Sequence, residues 1–336
     1  MIDLTKIQKN DPKKMYKTYD NWPNYAREGY NSSQNLKKIK NVKHVVFCGM
    51  GGSGTIGEMF ASILSKTNIH VSVVKGYLLP NTIDENSLII VTSISGNTVE
   101  TLTVLDSARK KKSRILAISS GGKMEKYCQK YQIDFRKIIQ DHSPRASFTR
   151  FLFSLIKILE EILPLDSESV KNAIYELEKT KEKISSLNLT DSNPSLVIAK
   201  WITGIPLIYY PWGLNAAAIR FKNSLQENSK LHAISEDVIE SCHNGIVAWE
   251  KISDVCPILI EGEDDFEKTK ERWKILKEYF KKEKIKFIEI HSIKGDILAK
   301  LINLIYILDY ASIYHAILTN TDPSAIRSID YIKKRL

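Results

Sequence analysis

Two short segments of the 336-residue chain hold the residue types that can surround a phosphate. The first, Gly49-Met50-Gly51-Gly52-Ser53-Gly54, leaves the apolar run 42–48 and enters a helical stretch from about 56 to 64. Glycines let a ligand approach the backbone closely, and the free N–H groups that open a helix favour an anion. The second, Ser93-Ile94-Ser95-Gly96-Asn97-Thr98, follows the buried-strand pattern 87–92 and opens the helical pattern 99–112. Three hydroxyls and an amide beside unpaired N–H groups can satisfy the oxygens of a terminal phosphate monoester. The predicted phosphate contacts are Gly51, Gly52, Ser53, Ser93, Ser95 and Thr98. For the second loop taken alone, a plain helix cap by Ser95 or Thr98 is the competing explanation.

Gly49-x-Gly51-x-x-Gly54 also satisfies the dinucleotide fingerprint, which by itself is weak. An NAD site calls for an acidic residue at the end of the next strand, and here the run His70–Val74 ends in Lys75 and Gly76. NAD is disfavoured on that ground, while a lysine there leaves NADP open.

Around these loops the chain alternates short β-rich runs with amphipathic segments, the grammar of a doubly wound parallel sheet covered on both faces. Strands are expected at 42–48, 70–74, 87–92 and 114–119, with helices between them and a long helix over 146–162 after Pro144. The charged helical segment 166–187 reads as a connector. Beyond it the pattern recurs, with strands at 207–210, 255–261 and 286–291, and helices from 216, over 269–282 and over 296–318. The fold class is α/β with two tandem units: residues 1–160, including an extension over 1–40, and residues 161–336.

Composition agrees with a globular chain, at 43% hydrophobic and 26% charged residues. The apolar runs are shorter than the roughly 20 residues of a membrane span, and the amino terminus has no apolar stretch of signal-peptide type. A cytoplasmic protein is the expectation. The net charge of +10 would suit an anionic partner, but lysines at 110–112 and 281–286 read as solvated helix faces and no nucleic-acid-binding module accompanies them. Cys48, Cys128, Cys242 and Cys256 lack CxxC spacing, so neither disulfides nor a zinc site are expected. His232, Cys242, His243 and Cys256 fit no familiar metal pattern.

The order of the motifs is more distinctive than any one of them. GMGGSG, SISGNTVETL, SPRASF at 143–148, Gln226-Glu227-Asn228, Cys242-His243-Asn244 and the closing DPSAIRSIDYIKKRL run over nearly the whole length. In that order they resemble the archaeal-type bifunctional phosphoglucose/phosphomannose isomerases of the sugar isomerase (SIS) domain family. The resemblance implies two SIS domains, a homodimer, and a metal-independent aldose–ketose isomerisation of hexose 6-phosphates without a cofactor. Glu227 then matches the base that moves the proton between C2 and C1, and His243 the ring-opening histidine reaching in from the partner subunit. Arg145 matches the cation near the developing oxyanion, with Pro144 a substrate-binding neighbour. Lys333 matches the carboxyl-terminal lysine that works with the histidine, and Lys334 lies beside it. The family's threonine associated with mannose 6-phosphate has no threonine counterpart after Thr321; Ser324 and Ser328 are the hydroxyls available there. Two other classes stay open: a non-catalytic phosphosugar-binding regulator, which needs only the loops, and an NADP-dependent oxidoreductase, which has no use for the SISGNT loop.

Overall fold

The computed structural model describes residues 2–32, 41–111 and 113–336, and the chain divides into two compact units. The first comprises residues 21–170 and the second residues 2–20 together with 171–335. The division falls after Val170 rather than at 160, and the expected extension is split. Its first 20 residues belong to the second unit, Asn21 onward to the first, and 33–40 lie outside the described residues.

In the first unit, β1 (His44–Cys48), β2 (His70–Val74), β3 (Ser87–Ser93), β4 (Arg114–Ser119) and β5 (Asp134–Lys137) form one parallel sheet ordered β2-β1-β3-β4-β5. The apolar runs HVVFC and SLIIVTS are buried along their entire length, as a parallel sheet covered on both faces demands of its central strands. On one face Val46, Ile89, Val91, Val104, Leu105 and Met124 make a common core. On the other, α4 (Gly52–Leu64) stacks Phe60 on Phe47 at 4.9 Å between ring centroids. A β-carbon at Gly57 would sit 3.0 Å from Phe47 Cβ, so this glycine sets how closely helix and strand approach. Of the extension, α3 (Trp22–Ser32) packs on α7 (Phe148–Ile158), where Trp22 Nε1 donates to Ala146 O at 2.9 Å and Ser154 Oγ to Gly29 O at 3.1 Å. The long helix expected over 146–162 is this α7, starting two residues later and closing in a 3-10 turn at Glu160–Ile162.

In the second unit, β6 (Ile205–Tyr210), β7 (Ile234–Asp237), β8 (Val255–Glu261) and β9 (Ile288–His291) give a parallel sheet ordered β7-β6-β8-β9. The segment expected to be a connector is α8 (Ser167–Ile184). Ala173, Leu177, Thr180 and Ile184 are buried along one face of it at helical spacing, and Thr180 Oγ1 accepts from Asn303 Nδ2 at 2.6 Å. Asn303 lies on α13 (Ile297–Leu318), against which α9 (Pro194–Trp201), α10 (Asn215–Ser229), α1 (Leu4–Asn10) and α2 (Met15–Asp20) also pack. Among the described residues, α13 is long and apolar enough to cross a membrane, yet 89% of its most apolar stretch is buried in protein, as befits a core helix.

A buried charge pair fixes α10 to α13. Arg220 Nη2 reaches Asp309 Oδ2 at 2.7 Å with the two side chains 3% and 0% exposed. Ser224 Oγ donates to Asp309 Oδ1 at 2.6 Å and Tyr19 OH to Oδ2 at 3.2 Å, so the carboxylate is fully engaged. Burial opposes the Arg220 charge, but Asp309, Tyr19 and Glu227 outweigh it and hold its pKa above the ordinary value. Removing one member of such a pair strands the other in a low-dielectric interior. Asp309→Asn is therefore expected to cost about 3–5 kcal/mol in urea or thermal unfolding, while the double replacement Arg220→Met with Asp309→Leu recovers most of it.

Candidate functional site

Strand order reverses in the first sheet between β1 and β3, and in a doubly wound fold ligands bind at the carboxyl end of that crevice. The loops after these two strands are the glycine turn and the hydroxyl loop. Three helices begin at this edge, α4 after Gly51, α5 (Val99–Arg109) after Thr98 and α6 (Gly122–Tyr131) after Gly121, and in none does the N-cap residue itself supply a side-chain cap. The simple capping explanation of the hydroxyl loop fails here, because the Thr98 hydroxyl accepts from Ser93 Oγ at 2.9 Å instead of turning to the helix. First-turn N–H groups, whose partial positive charge an anion complements, remain without side-chain acceptors from their own caps.

The glycines divide by task. A β-carbon at Gly49 would lie 2.8 Å from Ser53 Cβ and one at Gly54 2.9 Å from Gly49 O, so both are packing positions inside the turn. At Gly51, by contrast, φ is +53° and nothing lies within 4 Å of a β-carbon position, leaving the backbone open to a ligand. Gly52 is half-buried beside it, and Ser53 is buried in the first turn of α4. In the hydroxyl loop Gly96 has φ +68° and its β-carbon would fall 1.8 Å from Gly121 O. Sequence reasoning missed the loop that presses on it. Ser120 N and Oγ donate to Ile94 O at 3.0 and 2.7 Å, and Lys123 N donates to Asn97 Oδ1 at 3.0 Å. The adjacent glycines 121 and 122, both at positive φ, were the available signal. Ser95 Oγ accepts from Asn97 N at 3.3 Å and stays half-exposed, and a cleft of about 460 Å³ opens beside Asn97 and Lys123.

Lys75, which left NADP open, has its ammonium on Glu58 of α4 at 2.5 Å and is thereby neutralised. Pro144 is exposed and Arg145 only 7% exposed, so Arg145 is not the surface arginine its position before a helix would suggest. Their turn is held by Ser147, whose hydroxyl accepts from Asp141 N and donates to Ser143 O, both at 2.9 Å. Arg150 clamps the same turn through Asp141 (Nε to Oδ2, 2.9 Å) and pairs with Glu28 at 2.8 Å.

In the second unit Glu227 stands half-buried in the last turn of α10. His243 follows α11 (Val238–Ser241) in a turn closed by His243 N to Glu240 O at 2.9 Å, with its ring exposed. Lys333 ends α14 (Arg327–Lys333), a helix missed in the sequence because it buries nothing; Lys333 and Lys334 are both exposed. Ser324 is 8% exposed and its buried Oγ has no hydrogen-bond partner among the described residues, whereas Ser328 is exposed. At the carboxyl edge of this second sheet β8 ends in Glu261 and the loop after it carries Glu263, Asp264 and Asp265 where the first sheet carries hydroxyls. Glu263 pairs with Lys294 at 3.5 Å and Asp264 with Lys300 at 2.7 Å, so this loop offers paired carboxylates where the first sheet offers hydroxyl donors. Glu261 and Glu289 both pair with Lys277, at 3.0 and 2.9 Å, so the cation among these acids and His291 is an ammonium. All four cysteines are free, and burial pushes the Cys48 thiol up to about 12 and Cys128 up to about 11, which makes both inert near neutrality.

These two sheets are SIS domains by sequence as well as by geometry. Residues 38–156 match the SIS domain profile, and residues 191–336 match the bacterial phospho-glucose isomerase C-terminal SIS domain. Among solved structures, the C-terminal domain of glucosamine-fructose-6-phosphate aminotransferase from Francisella tularensis superposes with a TM-score of 0.69 over 92% of this chain and 97% of its own, at 18% identity. The bifunctional phosphoglucose/phosphomannose isomerase of Caldicellulosiruptor bescii is 30% identical over 96% of this chain and 98% of its own. That of Aquifex aeolicus is 30% identical over 89% and 92%. The chain belongs to the bifunctional phosphoglucose/phosphomannose isomerase family.

The geometry separates two glycine substitutions. Gly96→Ala forces both positive φ and a backbone clash, and should lower the melting temperature and abolish phosphosugar binding, with the backbone strain alone costing roughly 1–3 kcal/mol. Gly51→Ala has room for its methyl group; its larger effect should be on hexose-phosphate affinity measured by calorimetry, with a stability loss of only about 1 kcal/mol.

Proposed function

We propose that this protein interconverts glucose 6-phosphate, and mannose 6-phosphate, with fructose 6-phosphate through a cis-enediolate, without metal or nucleotide. The observation that carries the reading is the pair of uncapped, hydroxyl-rich loops at the β1/β3 crevice, in a chain whose relatives are named for this isomerisation. Gripping the phosphate positions the far carbons and does no chemistry itself. The roles then follow the chemistry of the groups. Glu227 takes the proton from C2 of the opened aldose and returns it to C1, a task for a carboxylate. Arg145, permanently charged, meets the oxyanion that develops as the C2 proton leaves. His243 and Lys333 move the proton between the ring oxygen and the C1 hydroxyl that opens the pyranose, since an imidazole can both donate and accept a proton. The exposed ring of His243 suits the family expectation that a homodimer brings it to the partner's substrate. The buried Ser324 hydroxyl, with no hydrogen-bond partner among the described residues, is the better candidate of the two tail serines for the role of the family's threonine.

Purified protein incubated with fructose 6-phosphate and a chelator, without nucleotide, is expected to form glucose 6-phosphate and mannose 6-phosphate. Glu227→Gln should lower turnover by roughly 1000-fold, within the range of a lost acid–base group, with fructose 6-phosphate still bound. Absence of turnover by the unsubstituted protein overturns the isomerase reading in favour of a phosphosugar sensor.

A further inference from the structure

The carboxyl end of α10 is capped by a cation, Lys230. Lys230 caps the helix at φ +55°, a left-handed conformation in which glycine or asparagine is usual and a lysine is strained. Lys14 and Lys284 share that backbone conformation, but among the described residues their ammonium groups make no hydrogen bond. The Lys230 ammonium donates to three carbonyls among the described residues. Its Nζ lies 2.9 Å from Glu227 O, 3.2 Å from Asn228 O and 2.7 Å from Asp322 O. The first two are carbonyls that the helix end leaves without intrahelical partners, and a cation there also complements the helix dipole. The third belongs to the segment between α13 and α14. There Asp322 Oδ1 accepts from Ser324 N at 2.8 Å, three residues before the helix that ends in Lys333.

We infer that Lys230 is a positioning residue, a strap that holds the backbone of Glu227 and the root of the carboxyl-terminal tail in one fixed arrangement. The inference rests on the assignment of Glu227 and Lys333 to proton transfer. The side chain of Lys230 does not touch the reacting carbons in this role; it fixes the turn from which the base is aimed. Losing it relaxes α10 at its last turn and frees the tail together, while the phosphate loops keep their contacts.

The test uses the full-length protein with Lys230→Met, which removes the three bonds and keeps the apolar stem, and Lys230→Arg, which can still donate to the carbonyls. Turnover of glucose 6-phosphate and of its 2-deuterated form is followed. For Lys230→Met, kcat should fall roughly 100-fold, the cost of a displaced catalytic group, with KM within a few-fold. The primary isotope effect on kcat should rise as C2–H cleavage becomes limiting, and Lys230→Arg should restore most of the rate. The isotope effect is a ratio within one preparation, so it reads positioning even where part of the protein fails to fold. An unchanged isotope effect in Lys230→Met, with any loss of rate matched by loss of folded protein, overturns the inference and leaves the role of Glu227 intact. Full activity in Glu227→Gln instead overturns the reading of the base itself.

Discussion

The structure depends on one topological constraint: in a parallel sheet whose strand order reverses, the loops on either side of the reversal leave toward opposite faces and open a crevice between them. In the first unit that reversal lies between β1 and β3, and the two loops that flank it are the ones built from glycine, serine and threonine. Helices begin there with backbone N–H groups that no capping side chain takes, and Ser93, Ser95 and Thr98 add hydroxyls. In the proposed reading, neutral donors and helix ends meet the anion. The nearest lysine at the end of β2 is already paired with Glu58.

The second unit repeats the topology with different loop chemistry. Its crevice lies between β6 and β8, and the loop after β8 carries carboxylates held in ion pairs, Glu263 with Lys294 at 3.5 Å and Asp264 with Lys300 at 2.7 Å. Duplicated architecture has thus been put to a different task. This unit anchors α10, the helix that bears Glu227, by burying Arg220 against Asp309 and by pairing Asn228 Nδ2 with Ser312 Oγ at 2.8 Å. Such a buried pair is weak evidence for stability and better evidence for a fixed register, because a one-turn slip of α10 would leave Arg220 without its carboxylate.

The sequence disclosed the central strands and both loops because those signals are local: continuous apolar runs, glycine spacing and hydroxyl clusters. β5 (DFRK) and β7 (ISED) escaped because edge strands that are half-exposed need no apolar run. α8 leads from one unit into the other, as expected, but its charged outer face hid a buried stripe of Ala173, Leu177 and Ile184. The split of the extension between units could not be read at all. Trp22 and Gly29 meet partners more than 100 positions away, and Tyr19 OH bonds Asp309, 290 positions away. Glu227, His243, Lys333 and Arg145 carried no local signature that separates them from other charged residues, and only the order of motifs along the chain singled them out. Lys230 and Arg220 belong to neither category, for their meaning lies in which carbonyls and carboxylate they reach.

The central claim is that one phosphate is held at the β1/β3 crevice. A crystal structure of the Glu227→Gln protein with fructose 6-phosphate addresses it directly. The account predicts phosphate density at the amino-terminal ends of α4 and α5, within hydrogen-bond reach of the Gly51–Ser53 backbone and of the Ser93, Ser95 and Thr98 hydroxyls. Phosphate bound instead at the acidic edge of the second sheet, or a β1/β3 crevice empty at saturating ligand, would contradict it.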